Sequence, residues 1–309
     1  MTNPGWGGPY GDQPNPPQSV CVRHPDRPTG LACSRCGRPA CPQCLQAAAV
    51  GQHCVDCVRE GNKNVRTAQT VAGAPVTRSA KTPLTYALIA INVVVFGITA
   101  AQSGNVTSNF TGSAVAQAWS LNSLLVAEGD VFRLIGNGFV HIGPIHLLVN
   151  MFALYLIGRD VELVLGRSRY LAVYFLSLLG GSASVMVFEN PLSLTAGASG
   201  AVFGLLGAQA VILLRLKRSP APVLIVIALN IFISISIPSI SLWGHMGGLV
   251  AGAAATAGLV FLPNGRRGPE SSRTSAGVSM AWISVIAVAL VTLGIIAVRM
   301  LDLRAQMGI

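Results

Sequence analysis

The sequence predicts an all-α polytopic membrane protein with seven transmembrane helices, preceded by a small cysteine-rich module. Three observations support this prediction. Of the 309 residues, 51% are hydrophobic and only 10% are charged, and the mean hydropathy is +0.58, whereas a soluble domain has about 25% charged residues. Charged residues are missing from several long stretches. All seven cysteines lie before residue 58.

The uncharged stretches define the predicted spans. A helix needs about 20 apolar residues to cross the hydrocarbon core of a bilayer. The stretch 219–265 has no charge and is long enough for two helices, with a break near Pro238. The other stretches without Asp, Glu, Lys or Arg are 82–127, 134–158, 171–188, 190–214 and 274–298. We therefore predict seven spans, near 83–101, 144–163, 170–188, 199–216, 221–237, 242–262 and 279–299.

The net charge of +10 is a topology signal. Basic residues cluster in alternate connections of the seven-span arrangement, so they fall on one side, which the positive-inside rule makes cytoplasmic. The first apolar run starts only near residue 83, so no secretory signal peptide is visible. We expect a multi-pass protein of a bacterial plasma membrane with a cytoplasmic N-terminus and no nucleic-acid partner. The clusters are Arg78/Lys81, Arg159/Arg167/Arg169, Arg215/Lys217/Arg218 and Arg266/Arg267/Arg273.

Composition divides the chain into six segments. Residues 1–19 are rich in Gly, Pro, Asn and Gln and are predicted to form a disordered tail. Within the six-span core, the connection 102–143 between the first two spans is long for a loop and contains apolar patches, which suggests that it lies in the membrane interface. The remaining segments are the cysteine-rich module 20–60, a linker 61–82, a six-span core 83–262, a cytoplasmic linker 263–278 and the seventh helix with a short tail, 279–309.

The module contains four pairs of metal-ligand residues, each with a two-residue spacer. Eight Cys and His ligands are the number that two tetrahedral zinc ions need. Disulfides would leave one of the seven cysteines unpaired and are rare in a reducing cytoplasm. We therefore predict two structural Zn²⁺ ions. The ligand pairs are Cys21/His24, Cys33/Cys36, Cys41/Cys44 and Cys54/Cys57.

These pairs resemble a B-box-type zinc finger. The resemblance implies a cross-brace, in which Cys21/His24 share one ion with Cys41/Cys44, and Cys33/Cys36 share the other with Cys54/Cys57. His53 is either a substitute ligand or a plain surface histidine. We expect the module to bind a cytoplasmic protein partner.

Polar side chains in three of the apolar spans predict a catalytic site. Ser199 begins the fourth span, within the motif Gly197-Ala198-Ser199-Gly200, and His245 lies at the start of the sixth. His146 and Asn150 share one face of the second span because they are four residues apart. All four residues lie in the first turns of helices that run from outside to inside. The alternative is structural, with Ser199 in a small-residue helix contact and His146 and Asn150 making interhelical hydrogen bonds.

This set of motifs resembles the rhomboid family of intramembrane serine proteases over roughly 83–262. The matching motifs are Gly197-Ala198-Ser199-Gly200, His245 with Gly248, and His141, His146 and Asn150 at the family's spacing. The resemblance implies that Ser199 is the nucleophile and His245 the general base. It also implies that His146, Asn150 and the Ser199 N–H form the oxyanion hole. Proteolysis would need no cofactor, and the substrates would be membrane-spanning proteins in the lipid bilayer.

Two positions depart from the family pattern. Phe203 stands where the family usually has a Tyr that stacks on the histidine, and Phe132-Arg133 replaces a Trp-Arg pair. Neither change removes a reacting group. Gly197, Gly200, Phe203 and His141 are therefore expected to support the site, as residues that leave room for the substrate or position the catalytic groups.

Three other functions make different demands on the sequence. A metalloprotease using His141, His146 and His245 would lack the H-E-x-x-H motif, in which the Glu acts as the base. A transporter would need charged or helix-breaking residues near the midplane of several spans. A catalytically inactive member that binds transmembrane clients, with the zinc module as a cytoplasmic adaptor, is the alternative that the sequence leaves open.

Overall fold

The computed structural model describes residues 18–63, 69–74, 76, 81–262 and 280–309. The chain divides into two compact units between residues 67 and 68. The cytoplasmic linker predicted for 263–278 lies outside the described residues, as does all but the end of the tail predicted for 1–19.

The first unit is built on two short antiparallel hairpins. Strand β1 (Val20–Cys21) pairs with β2 (His24–Pro28), and β3 (Leu45–Ala47) pairs with β4 (Gln52–Cys54). A 3₁₀ turn at Pro42–Cys44 precedes β3, and helix α1 (Val55–Lys63) follows β4. The buried core of this unit consists of six cysteines and Ala40. Because so little aliphatic surface is buried, hydrophobic packing alone cannot stabilise a unit of this size.

The second unit is helical, which confirms the predicted fold class. Each predicted span corresponds to a helix, and three short helices lie in the predicted long connection. The span helices are α2 (Pro83–Ser103), α6 (Pro144–Ala153) continuing through a π turn (Leu154–Gly158) into α7 (Arg159–Leu165), α8 (Arg167–Phe188), α9 (Ser199–Arg215), α10 (Ala221–Ser236), α11 (Leu242–Phe261) and α12 (Met280–Met307). The connection contains α3 (Ala114–Trp119), α4 (Ser123–Glu128), α5 (Arg133–Gly136) and a 3₁₀ turn at Asn137–Phe139.

The helices differ in length. Four of the described helices, α2, α8, α11 and α12, are long and apolar enough to cross a membrane. A fifth span is present if the bent pair Arg133–Phe139 and Pro144–Leu165 counts as one. Helices α9 and α10 are apolar but have only 17 and 16 residues. At 1.5 Å per residue α9 spans about 26 Å, slightly less than the bilayer core of about 30 Å.

Helices α8, α9 and α11 form the centre of the second unit, and glycines allow their backbones to touch. A Cβ atom at Gly248 would lie 2.0 Å from the carbonyl oxygen of Gly200, and one at Gly252 would lie 2.3 Å from that of Gly204. On α8, a Cβ at Gly181 would lie 2.8 Å from the carbonyl oxygen of Gly244. The glycine strip predicted on α11 therefore packs directly against the helix that begins with Ser199.

Hydrogen bonds bring three connections and the end of α12 together at one end of the second unit. Leu121 pairs with Thr195 through two backbone bonds, so the 102–143 connection contacts the α8–α9 connection. Glu189, just after α8, accepts a hydrogen bond from Ser241, just before α11. Arg304 of α12 donates to the carbonyl of Ala127 in α4 at 2.5 Å. This is the end at which α9 and α11 begin.

Candidate active site

The segment before Ser199 is held in place by hydrogen bonds to the long connection. Its Thr195 pairs with Leu121, the Gly197 N–H donates to the Asn137 carbonyl at 2.9 Å, and the Ala198 N–H donates to His141 Nε2 at 3.3 Å. Ser199 is then the first residue of α9, so no intrahelical carbonyl is available to its N–H. The side chain of Ser199 is part-exposed. The hydroxyl and the N–H therefore lie together at an accessible helix N-terminus.

His146 faces the space beside Gly197. A Cβ atom at Gly197 would lie 2.7 Å from His146 Nε2 and 3.7 Å from Ser199 Oγ, so these two atoms line the same small space. His146 Nδ1 accepts a hydrogen bond from the Ile142 N–H at 3.4 Å. An acceptor at Nδ1 leaves the proton of the neutral ring on Nε2. The structure thus places a hydrogen-bond donor beside the space that Ser199 Oγ also lines.

Asn150 and His141 both contact His146. The buried Asn150 carboxamide donates one N–H to the His146 carbonyl at 2.9 Å, which leaves its second N–H available. His141 is fully buried, and its ring lies 5.0 Å from that of His146 in an edge arrangement. Because its Nε2 accepts the Ala198 N–H, His141 fixes the segment before Ser199.

His245 is buried near the start of α11, on the helix that packs against α9. Its ring stacks on Phe203, with centroids 4.0 Å apart and planes within 9° of parallel. Phenylalanine thus provides the stacking surface that the rhomboid resemblance assigns to tyrosine. His245 Nδ1 lies 2.8 Å from Ser234 Oγ of α10. Among the described residues, no hydrogen bond joins Ser199 to His245, so the contact expected between them stays a prediction.

Three polar residues at this end were not identified from the sequence. Ser234 contacts the ring of His245, as described above. Glu189 accepts a 2.5 Å hydrogen bond from Ser241 Oγ, which in turn accepts the Gly244 N–H and caps α11 just before His245. The buried Asn109 donates to the His141 carbonyl and accepts the Gly143 N–H, which fixes the turn before α6. Each joins segments distant in sequence, so local patterns did not reveal them.

The aromatic-Arg pair of the long connection has a structural role. Phe132 packs edge-on against Trp119 with ring centroids 5.1 Å apart. The guanidinium of Arg133 is buried and donates to the carbonyls of Gln117 and Ser120 and to Asp130. These contacts join α3 to α5 and stabilise the connection that holds the segment before Ser199.

The eight predicted metal ligands form two tetrads in the first unit. One contains Cys21, His24, Cys41 and Cys44, and the other contains Cys33, Cys36, Cys54 and Cys57, with all ligand atoms of a tetrad within 4.8 Å of one another. This is the grouping that the cross-brace resemblance implies. His53 belongs to neither tetrad.

The distances within the tetrads fit zinc. Tetrahedral coordination with Zn–S bonds of about 2.3 Å places sulfur atoms about 3.8 Å apart. Cys36 Sγ and Cys54 Sγ are 3.7 Å apart, and His24 Nδ1 lies 3.3 Å from Cys44 Sγ. A hydrogen bond from the backbone of Cys41 lowers the pKa of the Cys21 thiol to about 6, whereas burial raises the pKa of Cys44 to about 11. Zinc would stabilise the thiolate form of all the cysteines.

Comparison with known proteins identifies the family. A family model described as the Rhomboid domain matches residues 128–262. "Rhomboid protease GluP" of Bacillus subtilis is 34% identical over 191 residues, which cover 60% of this chain and 36% of that protein. "Putative rhomboid protease YdcA" of the same organism is 31% identical over 135 residues, which cover 42% of this chain and 68% of that protein. The chain belongs to the rhomboid family.

Rhomboids are integral membrane proteins and are generally intramembrane serine proteases that act on membrane protein substrates. The family also includes inactive forms. "Inactive RHOMBOID-like protein 8" of Arabidopsis thaliana is 28% identical over 156 residues, which cover 48% of this chain and 44% of that protein. This chain spans less than half the length of the first curated relatives that it matches, namely 36%, 45% and 37%.

Proposed function

We propose that this rhomboid is an active intramembrane serine endopeptidase that cleaves transmembrane segments near the outer face of the membrane. Ser199 is the nucleophile and His245 is the general base. One observation carries the proposal: Ser199 Oγ and His146 Nε2 line the same space beside Gly197. A hydroxyl and a hydrogen-bond donor around one small space are what the addition step of acyl transfer requires.

The proposed reaction has two steps. Ser199 Oγ adds to the scissile carbonyl as its proton passes to His245 Nε2, and the same nitrogen then protonates the leaving amine as the C–N bond breaks. In the second step, water adds to the acyl-enzyme as its proton passes to His245 Nε2, and the same nitrogen returns a proton to Ser199 Oγ as the acyl bond breaks. The Ser199 N–H, His146 Nε2–H and the free N–H of Asn150 donate to the oxyanion, and each fixed donor contributes about 3 kcal/mol to the transition state.

The length of α9 supports cleavage below the outer membrane surface. The helix ends at Arg215, within a basic cluster that we assign to the cytoplasmic side together with the N-terminus. A helix of about 26 Å from that surface ends a few ångströms short of the far side of the hydrocarbon core. We expect a bacterial plasma membrane, and substrates with helix-destabilising residues near the outer face.

The first unit is proposed to bind two structural Zn²⁺ ions through its tetrads and to contact a cytoplasmic protein. The ions would stabilise the fold of the module and take no part in proteolysis. The alternative function for the whole chain is an inactive rhomboid that binds transmembrane clients, with the zinc module as adaptor. The inactive relative favours this alternative, whereas the donors around Ser199 favour catalysis.

Cleavage in membranes tests the proposal. The substrate is a single-span fusion protein with Gly and Pro in the outer third of its transmembrane segment, reconstituted with wild type, Ser199→Ala or His245→Ala. We expect cleavage by wild type and a loss of at least about 1000-fold in either variant, because residues of a catalytic set act as a unit. Cleavage that persists in Ser199→Ala would refute the serine mechanism. A wild type without activity would favour the adaptor.

A further inference from the structure

We propose that Ser234 of α10 is a positioning residue that holds His245 in the tautomer with its proton on Nδ1. This inference rests on the proposed function, since it concerns the base of that reaction. The contact is direct: Ser234 Oγ lies 2.8 Å from His245 Nδ1, and both side chains are buried. Neither α10 nor α11 contains an Asp or Glu that could orient the histidine.

The hydroxyl of Ser234 has two neighbours and only one proton. Its oxygen lies 2.7 Å from the Asn230 carbonyl, one turn earlier in α10, and 2.8 Å from His245 Nδ1. Because a carbonyl can only accept, both contacts are hydrogen bonds only if the hydroxyl donates to Asn230 and its oxygen accepts from Nδ1–H. Serines in apolar helices commonly donate to the carbonyl four residues earlier. Ser236 does so with Phe232 at 2.8 Å.

This direction of the hydrogen bond determines which ring nitrogen acts as the base. With its proton on Nδ1, the neutral imidazole has its lone pair on Nε2. No described residue donates to or accepts from His245 Nε2, so this nitrogen is free to take the Ser199 proton. The opposite tautomer would place a proton on Nε2 and remove the base.

Phe203 and Ser234 together fix the ring. Stacking on Phe203 holds the plane of the imidazole, and the bond to Ser234 fixes its rotation within that plane. When Nε2 takes the Ser199 proton, Nδ1–H continues to donate to Ser234 Oγ and the positive ring keeps its partner. Ser234 transfers no proton. It provides the orienting contact that a carboxylate provides in a Ser-His-Asp triad.

The matched control variant is Ser236→Ala. Ser236 lies two residues further on α10 and makes the same bond to its own helix, but it is exposed. Full-length wild type, Ser234→Ala, Ser234→Thr and Ser236→Ala are compared by two measurements. One is cleavage of the single-span substrate described above, resolved into kcat and KM. The other is ¹⁵N NMR of histidine-labelled protein, with the His245 resonances assigned by their loss in His245→Gln.

We expect wild type, Ser236→Ala and Ser234→Thr to show His245 protonated on Nδ1 and to cleave with similar kcat. In Ser234→Ala the two tautomers should mix, and kcat should fall about 10- to 100-fold, part of the usual contribution of a general base, with KM within about twofold. Wild-type kcat in Ser234→Ala, or an unchanged tautomer with a lower kcat, would overturn the inference. If no form cleaves, the proposed function fails, and the tautomer measurement still decides whether Ser234 positions His245.

Discussion

At the residue scale, Gly197 has little freedom to change. Its φ of +135° lies in a region that L side chains rarely adopt, and such backbone conformations cost about 1–3 kcal/mol in other residues. A Cβ there would also lie 2.7 Å from His146 Nε2. Glycine is therefore required at position 197, because any other residue would strain the backbone before Ser199 and would displace the His146 side chain.

Gly197→Ala should reduce substrate cleavage by about 100-fold or more, because the added methyl displaces His146 and one oxyanion donor is worth about that much. The measurement is kcat/KM for the single-span substrate, with thermal stability recorded in parallel. Gly294→Ala on α12 is the control, since a Cβ there meets nothing within 4 Å. Equal activity of the two variants would show that His146 is not held where the reaction needs it.

At the element scale, the uncharged stretches predicted where the helices lie. The predicted span 170–188 corresponds to α8 (Arg167–Phe188), and 242–262 corresponds to α11 (Leu242–Phe261). The glycine period on α11 also predicted its close contact with another backbone. These features depend on local composition, which a sequence displays directly.

The sequence did not predict which face of α10 packs against α11. Apolar residues occur on every side of this helix, so nothing in the pattern says which face meets α11. Ser234 and Ser236 look alike in sequence, yet one is buried against His245 and the other is exposed. The π turn at Leu154–Gly158 was not predicted either; it ends at Gly158, where a Cβ would lie 2.9 Å from the Tyr170 hydroxyl.

At the scale of the whole molecule, the chain combines two units stabilised in different ways. The second unit packs helices through glycine contacts, whereas the first has a core made mainly of cysteines. Regular two-residue spacers made the metal ligands predictable. Contacts such as Glu189 with Ser241 were not, because they depend on how the helices are arranged.

Metal analysis of the full-length protein should give about two zinc ions per chain. Cys36→Ser should reduce the content to about one, because it removes a ligand of a single tetrad. His53→Ala is the control and should keep about two, since His53 lies outside both tetrads. Wild-type protein without zinc, or a loss of one ion in His53→Ala, would contradict the assigned ligands.

The central claim is that His245 activates Ser199, and covalent labelling tests it most directly. Full-length protein in membranes is treated with a fluorophosphonate, which reacts with activated serines, and the modified residue is found by mass spectrometry. We predict one adduct, on Ser199, formed by wild type at a rate that falls at least about 100-fold in His245→Ala, the contribution of a general base. Labelling of Ser199 at the same rate in His245→Ala, or no labelling of Ser199 in wild type, would contradict the account.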